Sequence, residues 1–145
     1  YYTTVTDVPG LGITPHGKGK GVYIPWSVGS FYYNEGYDNT LHFLQDVLHE
    51  VCALPELAPG LHPSVELTLS KKADTLAVQL VNGSGVFANS YFEPVPMQDI
   101  TLRLPGLAGK TASAYNGGSV SCADSGDDLI LTLDKLNAYE IITVQ

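Results

Sequence analysis

Beyond residue 63 the apolar residues of this chain fall on every second position. SVELTLS puts Val65, Leu67 and Leu69 on one side, and TLAVQLVN does the same with Leu76, Val78 and Leu80. DITLRL, KTASAY, DLILTL and AYEIITV follow. A period of two belongs to the strand, whose successive side chains leave opposite faces. Six short strands punctuated by Gly, Pro and Asp predict a small antiparallel β-sandwich. KKAD and NGGS read as its hairpin turns. Between the second and third strands runs an irregular segment, GSGVFANSYFEPVP. Asp99, which opens the strand after PVPM, is expected to tie that loop down through backbone hydrogen bonds.

Before Leu54 the pattern is different. In NTLHFLQDVLHEV, Leu41, Leu44, Val47, Leu48 and Val51 recur at steps of three and four, so they share one helical face, with Asp38 or Asn39 as N-cap. Ahead of it, LGITPH and KGVYIPW flank a GKG turn and predict two short strands, the second ended by Pro25. LPELAPGLHP, with three prolines and one glycine, reads as a linker. A hairpin and one amphipathic helix cannot close a core unaided, whereas residues 64–145 can. The expected class is α+β, mainly β: an N-terminal β-hairpin and one amphipathic helix, followed by a small antiparallel β-sandwich.

Charge narrows the partners. Lys and Arg number 7 against 15 Asp and Glu, a net charge of −8. No basic stripe exists, which argues against nucleic acid or an anionic membrane surface as partner. No apolar run approaches membrane-spanning length. The opening YYTTVTDVPG carries no initiator Met and no signal-peptide pattern, so it reads as a chain entered midway. Cys52 and Cys122 are too few and too far apart for a disulfide framework or a metal site. Cys52 falls on the apolar side of the expected helix and is expected to be a buried thiol. The sequon Asn82-Gly83-Ser84 matters only in a glycosylating secretory pathway.

Motifs for chemistry are scarce. GKGKG lacks the GxxxxGK[ST] of a phosphate loop, and a strand follows Gly21 where a dinucleotide site needs a helix. The glycines are therefore turn-formers, and Lys18 and Lys20 are solvated charges. His42 and His49 lack the spacing of a metal pair, and His16 and His62 fall in turns. No GxSxG occurs, and neither cysteine has a base motif. Asp7, Glu35, Asp38, Glu66, Glu93, Asp99, Asp124, Asp127 and Asp128 form no recognisable acid/base pair, and DSGDD reads as a solvated turn. No catalytic residue, metal ligand or cofactor site is expected. The most suggestive group is aromatic: Trp26, Phe31, Tyr32, Tyr33 and Tyr37, in a segment leaving a strand and entering a helix. Such residues suit sugar faces, and they equally suit packing against a neighbouring domain or subunit.

The order of these features resembles a known arrangement. A GKGK turn, VYIPW with a following SxGxFYY, a helix, then VELTL, LAVQLVN, PVPMQDITLRL and KLNAYEIITV resemble the C-terminal third of family 42-like glycoside hydrolases. The resemblance spans essentially the whole chain. It implies that residues 1–57 close an amidotransferase-like α/β domain of the β-galactosidase trimerisation type, and that residues 62–145 form the C-terminal β-domain. It further implies a non-catalytic accessory region whose catalytic glutamates lie in an absent barrel, a cytoplasmic location, a homo-oligomer, and the remainder of the parent chain as partner. The alternative is a free-standing carbohydrate-binding module that uses the aromatic segment 26–37.

Overall fold

Hairpin formation near the N-terminus depends on Gly17, whose φ of 58° suits the first central position of a primed two-residue turn. In the computed structural model, which describes residue 4 and residues 6–145, it joins β1 (Gly12–His16) to β2 (Gly19–Tyr23) in antiparallel register. The other two glycines of GKGKG have no such need, since a Cβ on Gly19 or Gly21 would meet only a carbonyl oxygen at 3.7 Å. The strand ends at Tyr23, ahead of Pro25.

Two helices follow where the sequence suggested one. Val28–Glu35, expected as an aromatic loop, forms α1 and stops at Gly36, whose left-handed backbone lets its N–H donate to Tyr32 O. Asp38–Asp46 forms α2 with Tyr37 as N-cap. Asp38 therefore lies one position inside the helix, in the first turn, where a carboxylate still complements the dipole. The chain continues as a π turn, Val47–Val51, closed by Cys52 N–H on Val47 O. Lys20 is not an idle charge: its Nζ donates to Val51 O at 3.0 Å, placing a cation at the negative end of that turn. His49 Nδ1 donates to Leu54 O at 2.9 Å. Cys52 lies beyond the apolar face and is exposed, as is Cys122, so the expected burial of Cys52 does not hold.

This first compact unit ends at Pro55, and the second runs Glu56–Gln145. The second begins within the stretch read as a linker. Its Ala58 and Leu61 pack against the sandwich core, and Arg103 N–H donates to Leu57 O.

The sandwich strands are β3 (Val65–Lys72), β4 (Thr75–Asn82), the two-residue β5 (Val86–Phe87) and β6 (Ser90–Tyr91), and β7 (Met97–Leu104). They continue as β8 (Ala112–Ala114), β9 (Val120–Ser125), β10 (Asp128–Leu136) and β11 (Tyr139–Val144). One sheet has the order β3-β4-β11-β8, the other β7-β10-β9, and every pairing is antiparallel. The alternation in the sequence becomes the inner faces of the two sheets. Val78, Leu80 and Ile142 from one, and Leu129, Leu131 and Leu133 from the other, are wholly buried in one apolar cluster. Burial on that scale stabilises by about 1.5–3 kcal/mol per side chain.

Two turns took different forms. KKAD is a hairpin turn, with Lys72 opposite Thr75. NGGS instead carries the chain from β8 to β9, which belong to different sheets. A crossover has no partner strand, so its backbone groups need other acceptors. Glu140 provides them. Its carboxylate is only 2% exposed. It accepts from Tyr115 N at 2.9 Å, Asn116 N at 2.6 Å and Gly118 N at 2.9 Å, as well as from its neighbour Ile141 N. A Cβ on Gly118 would lie 2.8 Å from Glu140 Oε2 and 2.7 Å from Leu133 Cδ1, so glycine alone fits there.

The β4–β7 loop is tied down by Asn82 and not by Asp99. Asn82 is 2% exposed, and its Nδ2 donates to Val95 O and Asn137 O while its Oδ1 accepts from Ser84 N. With both amide hydrogens engaged and the side chain buried, the sequon asparagine is closed to glycosylation in the folded state. Asp99 lies inside β7 with φ of 53°, between the paired residues Gln98 and Ile100.

Two stability outcomes follow from this architecture. Val78→Ala removes buried methyl groups and should cost about 1–3 kcal/mol, while Gln79→Ala, on the exposed face, should be near neutral; denaturant midpoints for the two variants test the register. Glu140 titrates as a stabiliser. Burial alone would raise its carboxyl, but the N–H groups of Asn116, Gly118, Ile141 and Tyr115 outweigh burial and hold the pKa below the usual glutamate range. The folded value lies under the unfolded one, so its contribution is complete above the ordinary range and is lost as pH falls through the folded value. Glu140→Gln should therefore lower stability at neutral pH and flatten its acid dependence. An unchanged acid limb in the variant would show that another carboxylate governs it.

Candidate functional site

The aromatic segment divides once it folds as a helix. Consecutive residues of α1 step by about 100° around the axis, so Phe31, Tyr32 and Tyr33 cannot share a face. Phe31 turns toward Trp26, centroid to centroid 6.2 Å and nearly perpendicular, and toward Tyr37 at 5.6 Å. Tyr32 is half-buried, and Tyr33, 88% exposed, points to solvent. The group is completed by Phe43 of α2, 5.5 Å from Trp26. Of the five expected residues, three come together and two do not.

Four rings thus run in a chain, Tyr37–Phe31–Trp26–Phe43, joining the exit of the hairpin to both helices. Trp26 is fixed by its indole N–H, which donates to Gly10 O at 3.1 Å. With Asn39 and Thr40, the rings line an open cleft of about 690 Å³, within the size range of small-molecule sites. Trp26 and Phe31 remain about two-fifths exposed. Thr40 is buried, and Asn39 offers an amide at the rim. Asn39, Thr40 and Phe43 were missed in the sequence, though their spacing of three and four marks a second shared face of the helix. Attention to the leucine stripe hid it.

Several carboxylates elsewhere are engaged in structure. Asp128 Oδ2 accepts from Arg103 Nε at 2.6 Å and Oδ1 from Gly106 N at 3.3 Å. The hydrogen bond from Arg103 is the main cause of its lowered pKa. Asp124 accepts from Gly109 N. DSGDD is thus a hairpin turn whose flanking carboxylates hold the β7–β8 loop. Asp134 accepts from Ser119 N. Asp38 lies 3.6 Å from His42 Nδ1 at the surface. His16 ends β1, and His62 Nδ1 accepts from Ser64 N in a turn. Among the described residues no three His, Cys, Asp or Glu side chains cluster in a way that could hold a metal.

No family model and no curated protein matches the sequence. Among solved structures, 92% of the chain matches the fold of part of alpha-L-fucosidase isoenzyme 2 from Paenibacillus thiaminolyticus, with a TM-score of 0.65 and 17% identity. At that identity the likeness is one of fold. This chain spans 22% of the length of that protein. The sandwich unit begins only at Glu56, so coverage of this extent takes in residues from both units.

The ring chain makes a measurable prediction. Aromatic pairs of this geometry contribute about 0.5–1.5 kcal/mol beyond their burial. Phe43→Leu keeps apolar volume but removes the ring. It should destabilise by about that amount, shift Trp26 emission to longer wavelength and raise its quenching by iodide. Superimposable emission and quenching in the two proteins would mean that the Trp26–Phe43 pairing does not form.

Proposed function

We propose that this chain is a non-catalytic accessory and assembly region of a multidomain glycoside hydrolase-like protein. The observation that carries the proposal is the shared fold: nearly the whole chain matches a limited part of a much longer α-L-fucosidase. In this reading, residues 1–57 end an amidotransferase-like α/β domain of the trimerisation type and residues 62–145 are the C-terminal β-domain. The parent cleaves glycosidic bonds, with a β-galactosidase-like enzyme the nearest class, using paired carboxylates elsewhere in its sequence. The partners are the remainder of the parent chain and further copies of it.

Burial in the first unit supports this reading. Among its described residues only Thr40 and Val47 are buried, while Val8, Ile13, Tyr23 and Leu54 are about half exposed or more. A two-stranded hairpin is marginal alone, and one presenting apolar side chains is suited to joining a larger sheet or another subunit. A second reading, a carbohydrate-binding module, draws on the aromatic cleft at Trp26, Phe31 and Tyr37.

The test is enzymatic and hydrodynamic. The purified chain is assayed against aryl β-galactosides and aryl α-L-fucosides, and sedimented over a range of concentrations. No turnover is expected, together with self-association stronger than a net charge of −8 would suggest. Hydrolysis that disappears on mutation of a single carboxylate of this chain would overturn the accessory role. A strictly monomeric protein would remove the assembly part of it.

A further inference from the structure

The outer face of the four-stranded sheet carries a second group of aromatics. Ala112, Ala114, Ile142 and Val144 pack on the core, so alternation sends Ser113 and Tyr115, and Tyr139, Ile141 and Thr143, outward. Tyr115 N–H donates to Ile141 O, which extends the β8–β11 pairing by one residue and sets Tyr115 beside Ile141. Gln79 lies opposite Ile141 on one side and Thr68 on the other. One row across the sheet therefore reads Thr68, Gln79, Ile141, Tyr115. The next reads Glu66, Val81, Tyr139. The two tyrosines are diagonal neighbours on adjacent strands, a spacing of about 7–8 Å. They are 83% and 47% exposed.

Beneath them sits Glu140. Its carboxylate accepts from the backbone of Tyr115 and of Asn116, and Asn116 Nδ2 donates to Tyr139 O at 3.0 Å. The sheet-exit residue Tyr115 and the sheet-entry residue Tyr139 are thereby locked to one buried charge. The backbone that carries the two rings is thus fixed in advance, which removes part of the ordering cost that binding would otherwise carry.

From this arrangement we infer that the outer face of the β3-β4-β11-β8 sheet is a binding platform for a neutral oligosaccharide. Its tyrosine rings offer flat apolar faces with polar edges, as sugar rings require. The Gln79 amide both donates and accepts, matching vicinal hydroxyls, and the Thr68 hydroxyl does the same. Charge selects the class. The outward charges on β3 are Glu66 and Lys72 at its two ends, with the hydroxyl side chains of Thr68 and Ser70 between them. That balance offers nothing to a polyanion. A protein interface core would carry fewer Ser and Glu and more Met and Arg. Glu140 acts as a positioning residue, through Tyr115 and Asn116. The inference does not depend on the accessory-region reading, because it concerns the sandwich alone.

The experiment is a calorimetric titration of the 145-residue chain with cellotetraose, β-1,4-galactotetraose and 2′-fucosyllactose, with an oligogalacturonate as the charged comparison. At least one neutral oligosaccharide should bind saturably. Tyr115→Ala and Tyr139→Ala should each weaken binding about tenfold, while Phe87→Ala, an exposed aromatic elsewhere on the sandwich, should leave it unchanged. Glu140→Gln should weaken binding at a temperature where circular dichroism shows the variant folded. If that variant does not fold, the two tyrosine variants decide. Absence of saturable binding to all three neutral sugars overturns the inference, as does preference for the oligogalacturonate. Loss of binding with Trp26→Ala but not with Tyr115→Ala and Tyr139→Ala combined would move the site to the cleft and likewise overturn it. Hydrolase assays are unaffected by any of these results, so failure here is distinct from failure of the accessory role.

Discussion

One buried carboxylate closes the sandwich. A charge taken out of water costs several kcal/mol unless its lone pairs are satisfied, and Glu140 is satisfied by four backbone N–H groups. Three of these belong to the crossover between β8 and β9, which carries the chain from one sheet to the other. Backbone leaving one sheet has no ladder to donate to. Without the carboxylate, the N–H groups of Asn116 and Gly118 would be unpaired near the end of the leucine core, and that of Tyr115 would keep only Ile141 O. Glu140 stands directly opposite Leu80 in the β4–β11 register, so its inward direction is fixed by the same alternation that buries Ile142 and Val144. Pairing register and crossover are therefore a single constraint.

Most of the sandwich was legible because a strand with one buried face must alternate. Val78 and Leu80 of β4, Leu102 of β7 and Leu131 of β10 are inside as their spacing requires. What alternation cannot carry is connectivity. NGGS has the composition of a hairpin turn, yet the strands it joins pair elsewhere, β8 with β11 and β9 with β10. Only long-range pairing, which no short window contains, distinguishes the two cases. The same limit hid β9, whose residues VSCADS are exposed on nearly every position. An edge strand of small polar residues leaves no periodic trace. Glu140 was invisible for a related reason: a lone acid between Tyr139 and Ile141 reads as an outward residue until its partners, more than twenty positions away, are known.

In the first unit the sequence singled out three of the four rings that cluster and expected the wrong element. Phe31, Tyr32 and Tyr33 have middling helix propensity, and Gly29 lowers it further. The glycine that matters is Gly36, which ends α1 in the left-handed region. Tertiary contact decides the rest: Phe31 packs on Trp26 and Tyr37, and helical geometry then ejects Tyr33. A row of adjacent aromatics cannot form one surface on a helix, whereas residues scattered over positions 26, 31, 37 and 43 can.

The two units differ in how their polar and apolar groups are resolved, and that difference bears on function. In the sandwich, buried polar side chains have identified partners: Glu140 takes four donors, and the Asn82 amide joins Val95 and Asn137. Its inner leucines are wholly enclosed. Such a module has the means to fold on its own residues, and it fixes the backbone that carries its surface side chains. The first unit shows the opposite: two helices and a hairpin, little buried, with rings and aliphatic side chains facing outward. Exposed apolar surface of this kind is characteristic of interaction sites, and the rings that hold the helices together also form its open cleft. Rigid support lies under the tyrosines of the sheet, and unsatisfied apolar area surrounds the cleft. Polar surface of balanced charge on a fixed backbone favours a small hydroxylated ligand, whereas apolar surface in need of cover favours protein. The two proposals thus rest on different surfaces, recognition on the sheet face of the sandwich and assembly on the hairpin and helices.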